Sequence, residues 1–409
     1  MILRATDRCD HSLEERPMCD VTSQAPHARL SRRTAIAAAV LGGTTAATAS
    51  GGQAAAMPSR GKHGPSPEGC RTRLVLLGTA GGPPWYAGTA RAGIASALVV
   101  GDRYYLIDAG HGVGQRLRAA ELGAHDRPLS RLRAVFLTHL HSDHVIDLNN
   151  VLVEGVANGL EQVDRPVQIW GPGNRGAVPP LFGPPPAPPV TAPENPTPGT
   201  AETVGLLVRA FATDINDRSF DNRLPTPDRL YSGHDVPIPA ELVDDPNGDP
   251  HPRMSPVKFY EDDRVRVSAT LVQHAPVFPA LAFRFDTDDG SVVFSGDTGP
   301  SENLIELAQG ADILVHEVID REWAEEGLFP APRTPQQDAI VQHLLHAHTQ
   351  VDQVGPIADA AGVPTLVLSH LVPGDWPEHK WRRAQHGYSG ELIVGRDLDT
   401  FGVGRRARR

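Results

Sequence analysis

The sequence predicts an α/β fold: a sandwich of two sheets between outer layers of helix, in the order αββα, broken by a proline-rich insertion. Three observations lead there. Short apolar runs of strand length come first and then alternate with helical stretches, and this order occurs twice along the chain. Between the two halves, over 172–256, the composition shifts to Pro, Asp and Arg. His and Asp collect where predicted strands run out, most densely in Thr138-His139-Leu140-His141-Ser142-Asp143-His144.

At 409 residues and 40% hydrophobic content, the chain can bury one large core or two modest ones. Its 40 Gly and 38 Pro predict many turns and long loops. A formal charge of −11 gives no basic footprint, so no stable nucleic-acid complex is expected. Cys9 and Cys19 precede the export signal described next, which leaves Cys70 alone in a mature chain and no disulfide within it.

Residues 1–56 read as a targeting region. Ser31-Arg32-Arg33-Thr34-Ala35-Ile36 has the form of a twin-arginine signal, followed by a mildly apolar run over 35–49 that is too short to span a membrane. Small residues at Ala47-Thr48-Ala49 or Ala54-Ala55-Ala56 offer cleavage sites, and Met18 offers a second start. The expectation is a secreted or periplasmic protein that meets the twin-arginine export machinery only transiently. A linker over 57–70 follows.

The first half of the domain covers 71–171. Its predicted strands are 74–77, the pair 95–100 and 104–107 around Gly101-Asp102, then 132–137 and 167–170. Helices are expected over 114–122 and 147–158. The insertion 172–256 carries a polyproline stretch at 183–189 and one predicted helix at 203–213, and is read as capping or flanking the site. The second half, 257–398, opens on an alternating strand at 264–272, then a hairpin at 281–286 and 291–294. Helix 303–309, strand 313–316, helix 350–361 and strand 365–369 complete it, and 399–409 is left as a basic tail.

Neutral imidazole and carboxylate suit Zn²⁺, Mn²⁺ or Fe. A strand end running into a tight loop can aim His139 and His141 at one ion and turn Asp143 and His144 toward a second. His274, Asp297 and His370 stand at the ends of other predicted strands, with Gly296 allowing a sharp turn before Asp297. Together they form a two-ion site: His139, His141 and His274 on one ion, Asp143, His144 and His370 on the other, Asp297 between them. Such a pair of ions, about 3.5 Å apart, can hold a bridging hydroxide at neutral pH and clamp an anionic oxygen.

These motifs resemble the metallo-β-lactamase superfamily, and within it the ribonuclease Z-like and arylsulfatase-like branch. The resemblance runs over 71–398 without the insertion. Leu77-Gly78-Thr79 is similar to the family's opening strand and loop, and Asp108 falls in its Leu-x-Asp-x-Gly pattern. Asp312-Ile313-Leu314-Val315-His316-Glu317 is similar to its Asp-x-Leu-x-x-Glu segment. His348-Thr349, 22 residues before His370, resembles the ribonuclease Z histidine that assists phosphodiester cleavage, with His343 and His346 as rival registers.

The resemblance implies an exported hydrolase with two divalent ions, Zn²⁺ first among candidates, acting on a small anionic ester. A metal-bridged hydroxide would attack in line, Asp143 would orient its proton, and His348, held by a carboxylate such as Glu317, would protonate the leaving oxygen. Asp108 would fix the tautomer of a ligand imidazole. His111 stands where the family often has Glu, and the insertion lacks a basic, Gly-rich arm for clamping tRNA. Phosphodiesters are the favoured substrates, with arylsulfatase or lactonase activity as the alternative. A metal-binding scaffold is the non-enzyme alternative; a diiron flavoprotein would need an acidic ligand in place of His141 and a flavin domain, and neither appears. Homodimerisation is left open.

Overall fold

The computed structural model describes residues 66–404, apart from 183–184 and 243–244. The proposed targeting region therefore lies outside the described residues. So do most of the linker and the end of the basic tail.

Two seven-stranded sheets form the centre. The chain lays down β1 (Thr72–Gly78), β2 (Ala95–Val100), β3 (Arg103–Ile107), β4 (Leu132–Phe136), β5 (Val167–Gly171) and β6 (Tyr231–Asp235) in one sheet. It then builds β7 (Val257–Glu261), β8 (Arg266–Leu271), β9 (Leu281–Asp286), β10 (Ser291–Phe294), β11 (Ile313–Ile319), β12 (Thr365–Val372) and β13 (Glu391–Val394) in the other. A last strand, β14 (Thr400–Gly402), returns to pair antiparallel with β1. In each sheet the meander is antiparallel and the helix-connected strands are parallel, β3 to β6 in one and β10 to β13 in the other.

Side-chain alternation explains why strands such as 74–77 are apolar throughout. Leu74 and Leu76 point into the core between the sheets, while Val75 and Leu77 point to the layer beneath the helices. The inter-sheet core is aromatic around Phe136, whose ring meets Phe285 edge-on at 5.0 Å and Tyr260 at 5.3 Å. Outside the second sheet, helices Glu302–Ala308 and Val351–Ala361 bury Leu304, Leu307, Val354 and Ile357 against it.

Several elements differ from the sequence expectation. Helix 147–158 divides into Leu148–Leu152 and a 3₁₀ turn, Glu154–Asn158. The insertion helix is Thr200–Ala210, followed by a second, Ala212–Asp221, whose polar sequence buries no side chain. β6 comes from within the insertion and extends the first sheet beside β5, so this segment is partly built into the domain. β14 likewise lies where a tail was expected. Helix Pro335–Ala347 was also not anticipated, although Thr334 and Gln337 form a capping box at its start. No helix among the described residues is long and apolar enough to cross a membrane.

Candidate metal centre

The first strand end is set by the sheets themselves. After β4, the Leu137 amide donates to the Trp170 carbonyl at 2.7 Å. The Thr138 carbonyl accepts from Leu281 of the second sheet at 3.0 Å, which ties the two sheets together just before His139. Asp108, at the end of β3, has φ 57°, a left-handed conformation uncommon outside glycine. That turn aims its carboxylate inward: Oδ1 accepts from the Thr138 amide at 2.8 Å, and Oδ2 lies 2.9 Å from His144 Nδ1. A proton on Nδ1 leaves His144 Nε2 as the free donor atom.

The remaining groups arrive from the second sheet. His274 follows β8, with Nδ1 held 2.9 Å from the Ala347 carbonyl. Asp297 follows Gly296, whose φ of 59° supplies the turn. His370 sits in β12 with φ 49°, packed so closely on Gly81 that a Cβ there would come within 2.3 Å of its Nδ1. The Gly82 amide donates to Asp143 Oδ2 at 3.0 Å. Sequence reasoning did not assign Gly81 and Gly82 to the site, though a Gly-Gly pair after the first strand was the available signal.

These groups converge on Asp297. Its Oδ2 lies 3.8 Å from His139 Nε2 and 3.9 Å from His274 Nε2. Its Oδ1 lies 3.2 Å from both His144 Nε2 and His370 Nε2. Candidate donor atoms of His139, His141 and His274 lie within 4.8 Å of one another, as do those of Asp143, His144, Asp297 and His370. His141 is at the solvent edge, Asp143 is half-buried and the other five are buried. All seven residues singled out in the sequence thus meet in one place.

A divalent cation suits this set. His139 Nε2, His144 Nε2 and Asp297 Oδ1 are buried, face one another and make no hydrogen bond. Leaving such atoms unpaired costs free energy that cation coordination would offset. Burial, reinforced by the neighbouring His144 charge, pushes His139 well below the usual histidine range. Burial likewise takes His274 down to about 3. Burial would lower His144 too, but Asp297, Asp108 and Asp143 hold it well above the usual value. Burial opposes ionisation of Asp143 and Asp297, yet the adjacent histidines hold both well below the carboxylate range.

His348 caps the C-terminus of helix Pro335–Ala347, its Nδ1 3.0 Å from Glu317 Oε1 and 3.9 Å from Asp297 Oδ2. The Glu317 oxygen also accepts from the Thr298 amide at 2.9 Å. Burial alone would lower His348, but Glu317 and Asp297 raise it to about 9. His346 turns instead toward the Gln273 amide at 2.8 Å, so His348 holds the register beside the centre. His316, buried in β11, puts Nδ1 against the Glu317 carbonyl at 2.6 Å. His111 is exposed, 3.9 Å from Asp147.

Two clefts reach the centre. One of about 410 Å³ is lined by His141 and the insertion, and one of about 440 Å³ by Asp143 and the 82–93 loop.

Residues 90–215 match the Metallo-beta-lactamase superfamily profile. A ribonuclease Z from Mycobacterium bovis (strain BCG / Pasteur 1173P2) is 33% identical over 333 residues, covering 81% of this chain and 98% of the relative. One from Mycobacterium sp. (strain KMS) is 33% identical over 334 residues, covering 81% and 95%. Human tRNase Z, short form, superposes with a TM-score of 0.51 at 18% identity, covering 81% of this chain and 99% of that one, and so shares the fold. With these relatives matched over nearly their whole length, the chain belongs to the metallo-beta-lactamase superfamily of metal-dependent hydrolases, alongside the ribonuclease Z proteins.

Proposed function

We propose that this enzyme hydrolyses phosphodiesters, as small anionic ester substrates, at a two-cation centre. The observation that carries the reading is the split of Asp297, one oxygen toward His139 and His274 and the other toward His144 and His370. Two divalent cations held there, with Zn²⁺ favoured by the imidazole and carboxylate donors, would supply Lewis acidity and an acidified water. His139, His141 and His274 would hold one, and Asp143, His144 and His370 the other.

The chain's own residues supply the rest. Asp143, steadied by the Gly82 amide, presents its carboxylate to orient the proton of an attacking water. Glu317 keeps His348 protonated at neutral pH, so that its imidazolium can donate a proton to the leaving oxygen. Asp108 orients His144. The resemblance to ribonuclease Z relatives favours phosphodiesters over sulfate esters or lactones. Tyr388 gives no support to a lactonase, because its hydroxyl donates to the Val363 carbonyl at 2.9 Å.

The test is metal analysis of the purified protein with aryl phosphodiester, aryl sulfate and lactone assayed side by side. Two metals per chain with diesterase activity is the expected result. Sulfatase activity alone would overturn the substrate class, and no activity in metal-loaded protein would favour the scaffold reading. We propose export through the twin-arginine route from Arg32-Arg33 and the following run. Arg32→Lys with Arg33→Lys should retain the protein in the cytoplasm, and unchanged export would refute this.

A further inference from the structure

The HxHxDH loop serves two clefts with alternate residues. Leu140, His141 and Val145 line one, whereas Ser142, Asp143 and Ile146 line the other. The centre therefore lies between two spaces of similar size, which matches a phosphoryl group carrying two organic arms rather than one.

The clefts differ in chemistry. The one beside His141 is walled by Leu140, Val145, Val277, Phe278 and six prolines, drawn from the insertion and the loop after β8. Proline has no amide hydrogen, so these walls offer few backbone donors to an anion. The one non-histidine cation among the lining residues, Arg175, has both terminal nitrogens engaged and its Nε buried out of reach of a ligand. Its guanidinium donates to the carbonyls of Pro276 and Pro246 and to the Asn247 side chain, fastening the insertion to the loop. The Thr197 hydroxyl donates to Asn174 at 3.0 Å. What this cleft presents to a ligand is chiefly rigid apolar surface, continuous with an imidazole of the centre.

We propose that the His141 cleft holds an uncharged apolar arm of the ester, phenyl-sized or larger, making the substrate a small diester and not a polynucleotide. This rests on the phosphodiesterase reading above. A polyanionic arm would need free cations along its path, and a methyl arm would touch little of the apolar wall. The insertion is then a specificity element: its Pro196, with Val277 of the loop after β8, lines the cleft and selects the arm while the centre does the chemistry.

Metal-loaded enzyme would be assayed on p-nitrophenyl phosphodiesters whose second arm is methyl or phenyl. The expected phenyl-to-methyl ratio of kcat/KM is about tenfold, the scale of discrimination available to an apolar pocket. Val277→Asp and Pro196→Glu, from different elements, should each bring the ratio to about one. A ratio near one in the unaltered enzyme, or a ratio surviving both substitutions, would overturn the proposal while leaving the diesterase reading intact. No turnover of either ester by metal-loaded enzyme would instead sink the diesterase reading, and the pocket's role with it. Cleavage of a precursor tRNA above the phenyl-ester rate, insensitive to both substitutions, would show that the occupant is RNA.

Discussion

His348 Nδ1 lies 3.0 Å from Glu317 Oε1, forming a buried imidazole–carboxylate pair 3.9 Å from Asp297. The pair couples helix Pro335–Ala347 to β11, and Glu317 is fixed independently by the Thr298 amide. His348→Ala should therefore leave metal content unchanged and lower turnover of esters with poor leaving groups by about 10²–10³-fold. Activated aryl esters should lose little, because their leaving groups need no proton. Equal loss on both classes would remove His348 from the general-acid role. Glu317→Gln should shift the alkaline limb of the rate profile to lower pH.

Gly81 has no room for a side chain. Its Cβ would lie 2.3 Å from His370 Nδ1, inside van der Waals contact. Gly81→Ala should displace His370 and lower the metal bound per chain, with the fold retained. Metal analysis and circular dichroism together would decide this; full metal occupancy would contradict it.

Asp108 joins two elements of the centre through one carboxylate, Oδ1 to the Thr138 amide and Oδ2 to His144 Nδ1. Asp108→Asn should weaken metal affinity by about 10–100-fold, as loss of an imidazole-orienting carboxylate does. Competition with a chelator would measure it. Unchanged affinity would mean that packing alone orients His144.

The metal-free protein should have a stability maximum near the ordinary histidine pKa, about 6.5. Burial holds His139 and His274 neutral, His274 down to about 3, so as pH falls below the unfolded value the unfolded chain takes up protons that the folded one refuses. Stability from this source is lost toward acid. His348 is raised to about 9, so its contribution is full below the unfolded pKa and is lost as pH rises through the folded one. Thermal unfolding of chelator-treated protein against pH would show both limbs, and His348→Gln should make the alkaline one shallower, the rest of its slope coming from His144, which Asp297, Asp108 and Asp143 also hold above the usual value. A flat alkaline limb in the unaltered protein would contradict the assignment.

The two-sheet sandwich, most of its strands and the grouping of the candidate ligands were legible because each depends on local pattern. Runs such as 74–77 are apolar on both faces since one face meets the other sheet and the other meets helices. His and Asp at strand ends read as a cluster because strand ends of a sandwich gather at one edge. Elements that depend on partners were not legible. β6 and β14 have little apolar pattern of their own and become strands by pairing with β5 and β1. Helix Ala212–Asp221 is polar overall and buries no side chain, so no core-facing run announced it.

What the sequence determined by itself is the chemistry on offer: seven imidazole and carboxylate groups and the glycines that let the backbone turn beside them. Tertiary structure alone decided their assignment. It set which oxygen of Asp297 faces which histidines, and chose His348 over His346 as the partner of Glu317. It also showed that the terminal nitrogens of Arg175 fasten the insertion to the loop after β8 and that prolines wall the His141 cleft. The physical reason is range. A residue's donor atoms and the strand it ends are local properties, whereas the direction of a lone pair, the charge that shifts a proton and the space left for a ligand depend on chain segments hundreds of residues away.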